Sequence, residues 1–244
     1  MREAFAWGAL ASSSLLIGGL LVMWRPVRQS KLGLVMAFGA GVLISAVAYE
    51  LVAEAITTGG EYWPVAFGLA AGALTFYAGD WYIDRMGGAR RKRSDQEGGG
   101  SSLALTLGIV LDGIPESITI GLTLLGGEGV SVAMLAAVFL SNLPESMAAT
   151  TGFLKSGRTR RWIIGLWLAI IAVSALSSLA GYALFDTAGD RTVAFVLAFA
   201  GGAVLTMLAD TMMPEAFEYG GRAVGLATTF GFAVAVAIVA LEHA

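Results

Sequence analysis

Long apolar runs dominate the chain, and polar residues interrupt them only briefly. Each run has about 20 residues or more, the length that an α-helix needs to cross the hydrocarbon core of a bilayer. The pattern therefore predicts an all-α membrane protein with eight transmembrane helices and a single transmembrane domain over residues 1–244. The predicted helices cover residues 4–24, 32–57, 63–85, 103–125, 130–153, 162–185, 191–218 and 221–241.

Composition supports this class and excludes several kinds of site. The chain is 57% hydrophobic and only 14% charged, whereas soluble domains have about 25% charged residues. Its 33 glycines fall largely inside the apolar runs, where small residues let helix backbones approach closely in lipid. The absence of cysteine excludes disulfides and thiolate metal sites, and the single histidine, His243, is the second-to-last residue of the sequence.

The basic residues predict the orientation in the membrane. If eight helices alternate, 13 of the 15 Lys and Arg residues fall on one side, and the positive-inside rule makes that side cytoplasmic. Both termini then face outward from the cell (inner) membrane. The first segment lacks a basic leader and a small-residue cleavage site, so we interpret it as a retained helix. The 13 residues are Arg25, Arg28, Lys31, Arg85, Arg90, Arg91, Lys92, Arg93, Lys155, Arg158, Arg160, Arg161 and Arg222.

The one long polar stretch is "GGARRKRSDQEGGGSS", from Gly87 to Ser102. Its glycines and charges predict a cytoplasmic loop over residues 86–102, and a basic patch for anionic lipid is the alternative. Nothing in the sequence indicates nucleic acid as a partner.

Predicted helices 2 and 7 are related in sequence. "FGAGVLISAVAYELVAEA" from Phe38 and "FAGGAVLTMLADTMMPEA" from Phe199 align without gaps at an offset of 161, with five identities. Helices five apart in order run in opposite directions. The alignment therefore predicts a 3+2+3 bundle, in which helices 1–3 and 6–8 form an inverted repeat around helices 4 and 5, as in many secondary transporters.

Seven carboxylates fall inside the predicted helices, where each ionised group costs roughly 2.5–3.5 kcal/mol on insertion scales. Lys, Arg and His are missing from the cores of these helices, so either a cation comes from solution or several carboxyls are protonated and hydrogen-bonded across helices. The seven residues are Glu50, Glu54, Asp112, Glu116, Glu145, Asp210 and Glu215.

Spacing and proline single out helices 4 and 5. Asp112 and Glu116 in "LDGIPES" are four residues apart and share a helix face, as do Asn142 and Glu145 in "SNLPES" at a spacing of three. The proline in each motif frees one backbone carbonyl, which a bound cation can use as a ligand. A simple proline kink is the alternative.

The predicted topology orders the other acidic residues by depth. Glu50 and Glu54 fall toward the outer side, and Asp210 and Glu215 toward the cytoplasm, on either side of the central pair of helices. Asp80 and Asp84 fall at the inner end of helix 3, where we interpret them as ordinary residues of the membrane interface. The alternative is that they line an exit path for the cation.

At these residues the chain resembles the ZIP (Zrt/Irt-like) family of divalent metal transporters. "DGIPES" stands where that family has His-Asn-x-Pro-Glu-Gly, "SNLPES" stands at its helix-5 motif, and "ADTMMPEA" looks like its helix-7 ending Asp-Glu-x-x-Pro-Glu-Ala. The resemblance implies transport of Zn, Mn, Fe or Cd into the cytoplasm, no organic cofactor, no enzymatic activity and a homodimer. It also implies that Asp112, Glu116, Ser141, Asn142 and Glu145 are metal ligands.

This sequence departs from the family pattern at two ligand positions. Asp112 replaces the helix-4 histidine and Gly113 replaces the asparagine, so a second metal position loses a ligand. The remaining oxygen ligands favour harder cations such as Mn²⁺ over Zn²⁺. Three alternatives stay open: a proton- or sodium-coupled carrier of another cationic solute, a channel-like or sensor protein, and a transport-inactive relative. An intramembrane aspartyl protease is disfavoured. Its two candidate aspartates, Asp80 and Asp190 of the Ala-Gly-Asp segments, would lie at opposite membrane faces.

Overall fold

The computed structural model describes residues 1–85, 102–126 and 129–242, so residues 86–101 of the predicted loop 86–102 and His243 lie outside the described residues. The described elements are helical: α1 (Arg2–Trp24), α2 (Gln29–Gly59), α3 (Tyr62–Arg85), α4 (Ser102–Thr123), α5 (Val132–Lys155) and α6 (Arg160–Phe185). Helix α7 comprises Asp190–Met207, the π-helical Leu208–Met212 and Met213–Gly220, and α8 is Val224–Glu242. The all-α prediction is confirmed, and each helix begins and ends within three residues of its predicted position.

The helical residues form seven unbroken runs in the described chain rather than the predicted eight. Residues 190–242 are one run, because the short 3₁₀ segment Gly221–Ala223 joins α7 to α8 without a non-helical residue between them. Gly221 (φ 60°, ψ −145°) has a backbone conformation that favours glycine, and it allows this tight join.

The chain reverses its direction within this last run. From the first to the last residue of α2, the contacting residues of α7 have decreasing numbers, whereas the contacting residues of α8 have increasing numbers. The two parts of the run therefore lie antiparallel to each other against one helix. On α7, Gly33 lies beside Gly220 and Gly39 beside Met212, and on α8, Phe38 lies beside Phe230 and Tyr49 beside Phe232.

Six of the runs are long and apolar enough to cross a membrane, as judged by length and composition, and α3 is not one of them. Large apolar side chains are nevertheless exposed along α3 and α8, including Phe67, Leu74, Leu226 and Phe230. So many exposed large apolar side chains are unusual on a soluble monomer, and they suit contact with lipid. The chain is thus compatible with a multi-pass membrane protein.

The helices pack in two groups of four. Helices α1, α4, α5 and α6 form one group, and α2, α3, α7 and α8 form the other. In the first group Gly8 approaches Ser178, and Gly19 lies against Trp167, so α1 and α6 are antiparallel. The main contact between the groups joins α2 to α5.

The second group is held by glycines at which one backbone approaches another. A Cβ at Gly72 of α3 would overlap the carbonyl oxygen of Phe199, and a Cβ at Gly41 of α2 would overlap that of Thr228. Glycine at each crossing lets the backbones touch, which is how membrane helices gain dispersion contacts that larger residues would prevent.

Candidate functional site

The acidic pair on α4 is buried in the helix bundle. Asp112 is 5% exposed and Glu116 is 1% exposed. Both carboxylate oxygens of Glu116 lack a hydrogen-bond partner in the described structure, and the backbone carbonyl of Glu116 accepts a hydrogen bond from Thr119 Oγ1 at 2.6 Å. Helix α4 contains no basic residue that could neutralise this carboxylate. Glu116 is therefore a buried acid whose two carboxylate oxygens have no hydrogen-bond partner within the described residues.

The polar motif on α5 is buried at a similar depth. Ser141 is 1% exposed and Asn142 is 3% exposed, while Glu145 is partly buried. Depth can be measured along each helix from the end next to the α4–α5 turn, at a rise of about 1.5 Å per residue. Glu116 then lies about 10 Å from the end of α4, and Ser141 about 14 Å from the start of α5. Asn142, at about 15 Å, is close to the depth of Asp112, at about 16 Å. The two motifs thus share one level of the bundle.

Helix α2 meets the α5 motif where proline interrupts the helical hydrogen bonding. Pro144 lies inside α5 and has no N–H, so the carbonyl of Leu140 loses its usual donor. A Cβ at Gly39 would lie 3.3 Å from that oxygen and 3.1 Å from Cα of Ser141. Because Gly39 has no side chain, α2 packs directly against the freed carbonyl and Ser141.

The remaining predicted acids lie on α2 and α7, in or next to π-helical segments. Glu50 is within the π-helical Val47–Ala53, and Asp210 is within Leu208–Met212. Glu54 and Glu215 follow in the first turn of the next α-helical segments. Glu54 is exposed and the other three are partly buried. Short π-helical segments are rare and occur frequently at functional sites, and nothing in the sequence analysis indicated these two.

The structure does not bring the predicted ligands together into one acidic cluster. Within the described ranges, no group of three His, Cys, Asp or Glu side chains could hold a metal ion. Depth accounts for part of this, because Glu145 lies about 20 Å along α5, roughly 10 Å deeper than Glu116. Glu145 is therefore poorly placed to share a metal with Glu116, whereas Asp112 lies one turn away on the same helix face.

Two kinds of polar residue are more deeply buried than the sequence pattern indicates. Asp80, assigned to an interface, is only 4% exposed. The spacing of four residues between Asp80 and Asp84 is the sequence feature that could have indicated a shared buried face. The adjacent Trp81 and Tyr82 favoured the interface interpretation instead. Ser12 and Ser45 are also fully buried, and their hydroxyl oxygens have no hydrogen-bond partner in the described structure.

Comparison with known proteins assigns no family to this arrangement. No family model matches the sequence, and no curated protein matches it.

Proposed function

We propose that the protein carries divalent metal cations across the membrane through a site on α4 and α5 centred on Glu116. The observation that carries this proposal is the Glu116 carboxylate, which is 1% exposed and has no hydrogen-bond partner for either oxygen. The resemblance of "DGIPES" and "SNLPES" to the ZIP family motifs supports the same function and the same residues.

The electrostatics of the bundle favour a transported cation at this position. A buried carboxylate without a partner is costly, because it has lost its hydration without gaining a hydrogen bond or a counterion. Asp112, one turn earlier on the same face, adds further negative charge to the region. A divalent cation from solution would relieve both penalties, whereas a static structural role would require a partner built into the protein.

The chemistry of the ligands favours a hard cation as the substrate. The side chains at this level offer only oxygen ligands: the carboxylates of Asp112 and Glu116, the Ser141 hydroxyl and the Asn142 amide. Oxygen ligands suit Mn²⁺ better than imidazole or thiolate ligands do, although Zn²⁺ also accepts carboxylates. We therefore expect Mn²⁺ to compete better here than at a histidine-containing site.

The helix packing supports an inverted repeat of helices 1–3 and 6–8 within an eight-span topology. Gly41 packs on α8, and Gly202, 161 residues later, packs on α3. Phe38 and Phe199, also 161 residues apart, are approached by Gly231 and Gly72. The π-helical segments begin at Val47 and Leu208, at the same offset.

Such a repeat gives the transporter two related halves around the α4–α5 site. Movement of the group containing α4 and α5 against the other group would expose the site to one side of the membrane and then to the other. Glu50 and Glu54 would line the outer approach, and Asp210 and Glu215 the inner one. The basic residues would face the cytoplasm and both termini would face outward, as in a homodimeric ZIP-type carrier of the inner membrane.

The test is metal influx into sealed proteoliposomes, measured for Mn²⁺, Zn²⁺ and Cd²⁺. We expect saturable influx with the unaltered protein and influx at the level of protein-free vesicles with Glu116→Gln, which keeps the shape of the side chain and removes its charge. Glu218→Gln is the matched control, because Glu218 is an exposed carboxylate near the end of α7.

Three results decide the outcome. Influx that is lost only in Glu116→Gln supports the proposal. Equal influx in Glu116→Gln and Glu218→Gln would remove Glu116 from the transport site. The absence of influx for all three ions, in protein that elutes as a single species and is inserted in the vesicles, would reject divalent metal transport.

A further inference from the structure

Four basic side chains are concentrated where α5 ends and α6 begins. Lys155 closes α5, Arg158 lies in the turn, and Arg160 and Arg161 open α6, and all four are exposed. We call this group the α5–α6 basic corner. The first N–H groups of α6 lie in the same corner, and a helix N-terminus adds partial positive charge. Thr159 Oγ1 accepts one of them, from Trp162 at 3.3 Å.

Three of the four basic side chains of this corner, Lys155, Arg160 and Arg161, have no counterion in the described part of the chain. Residues 146–185, which include the corner and all of α6, contain no Asp or Glu, and neither do residues 4–31 of the adjoining α1 region. Within the described ranges, no carboxylate is within ion-pair distance of Lys155, Arg160 or Arg161. Their charge must be balanced from outside these parts of the chain.

Aromatic side chains place the corner at the level of a membrane interface. The Arg158 guanidinium lies 4.6 Å from the centroid of the Trp162 ring, and Trp162 packs edge-on against Phe153. Because Gly19 of α1 lies against Trp167 of the antiparallel α6, Trp24 is expected at the level of Trp162. Trp24 is 85% exposed. Tryptophans with this exposure are typical of the headgroup region, where the ring meets both lipid and water.

From these features we infer that the α5–α6 basic corner binds the headgroup of an anionic phospholipid. The phosphate would lie among Lys155, Arg160 and Arg161 at the start of α6, while the acyl chains would lie along the apolar surface beside Trp24 and Trp162. Basic pockets at the ends of transmembrane helices hold lipid phosphates in this way. The inference depends on insertion in a membrane and not on metal transport.

The experiment measures lipid binding by purified protein in detergent, with a chelator present so that metal plays no part. Cardiolipin and phosphatidylglycerol are titrated against the unaltered protein and the double variant Arg160→Gln/Arg161→Gln, with phosphatidylcholine as the neutral probe. The matched control is Arg28→Gln/Arg222→Gln, which removes two exposed arginines. In the proposed topology they lie on the same side of the membrane but outside the corner.

We expect the corner variant to bind anionic lipid about 30-fold more weakly, since each basic residue near a lipid surface contributes about a factor of five. The control should bind as the unaltered protein does, and phosphatidylcholine should bind weakly to all three. Equal losses in the two double variants would show general charge attraction and overturn the inference. So would phosphatidylcholine binding as tight as that of cardiolipin. Monodisperse elution and unchanged helix content establish that the variants are folded.

Discussion

The glycine at the crossing of α2 and α8 gives a sharp test of the helix packing. A Cβ at Gly41 would overlap the Thr228 carbonyl oxygen and lie 2.8 Å from the backbone nitrogen of Phe232. Both obstacles are backbone atoms, so no side-chain rotation can relieve them and the two helices must separate. Overpacking of this kind costs about 1–3 kcal/mol. We therefore expect Gly41→Ala to destabilise the protein.

Gly165 provides the reference for this substitution. It also lies inside a helix, α6, but a Cβ there would meet no atom within 4 Å. Alanine is favoured over glycine in a helix by about 1 kcal/mol, and that gain is common to both positions. The difference between the free energies of unfolding of Gly41→Ala and Gly165→Ala therefore isolates the helix crossing, and we expect it to be about 1–3 kcal/mol.

The assay is equilibrium unfolding in detergent micelles, followed by the fluorescence of the six tryptophans. The double variant Gly41→Ala/Gly202→Ala extends the test to the related crossing of α7 with α3. Because the two glycines pack on different partner helices, their losses should be nearly additive, about 2–6 kcal/mol relative to two Gly165-like sites. A difference below about 0.5 kcal/mol between Gly41→Ala and Gly165→Ala would refute the close backbone crossing.

Three further predictions each concern a substitution at one residue. Asp112→His should raise the preference for Zn²⁺ over Mn²⁺ about tenfold in competition uptake, because imidazole suits zinc better than a carboxylate does; an unchanged ratio would show that residue 112 is not a ligand. Trp167 is fully buried and its Nε1 donates a hydrogen bond to Thr150 Oγ1 at 3.0 Å. Trp167→Phe should therefore lower the free energy of unfolding by about 1–3 kcal/mol. Thr150→Val in the Trp167→Phe background should add little to that loss, because the hydrogen bond is already absent. The Arg191–Glu61 ion pair of 2.7 Å is solvent-exposed, so Arg191→Gln should change stability by less than about 1 kcal/mol, and a larger loss would reveal a role beyond this pair.

The helices could be predicted from sequence because the signal is local. An apolar run of about 20 residues is sufficient to specify a helix in lipid, where every backbone group must be paired within its own segment. The boundary between α7 and α8 is harder to predict than the other boundaries. Gly220 and Gly221 permit the chain to reverse its direction there without a polar loop between the two helices. Turn chemistry, rather than hydrophobicity, determines whether two helices appear as one run.

The contents of the candidate site were only partly predictable for a related reason. The burial of Asp112 and Glu116 follows from their position in the middle of an apolar helix, which the sequence displays. The π-helical segments around Glu50 and Asp210 depend on contacts with other helices, and single-sequence periodicity does not contain those contacts. The burial of Asp80 likewise depends on which neighbouring helix covers the C-terminal end of α3.

Glu116 stands apart from the other acids because its neighbourhood gives its charge no hydrogen-bond partner. The freed carbonyl of Leu140, the Ser141 hydroxyl and the Asn142 amide are all weak ligands for a cation by themselves. A carboxylate at the same level changes this, because it supplies the charge that compensates for the loss of metal hydration. A site with only the Asp112 and Glu116 carboxylates among weak ligands also suits the proposed transport, since an ion held by many carboxylates would leave slowly. In the proposed carrier, the acids along α2, α4, α5 and α7 would meet the cation at different points of its path.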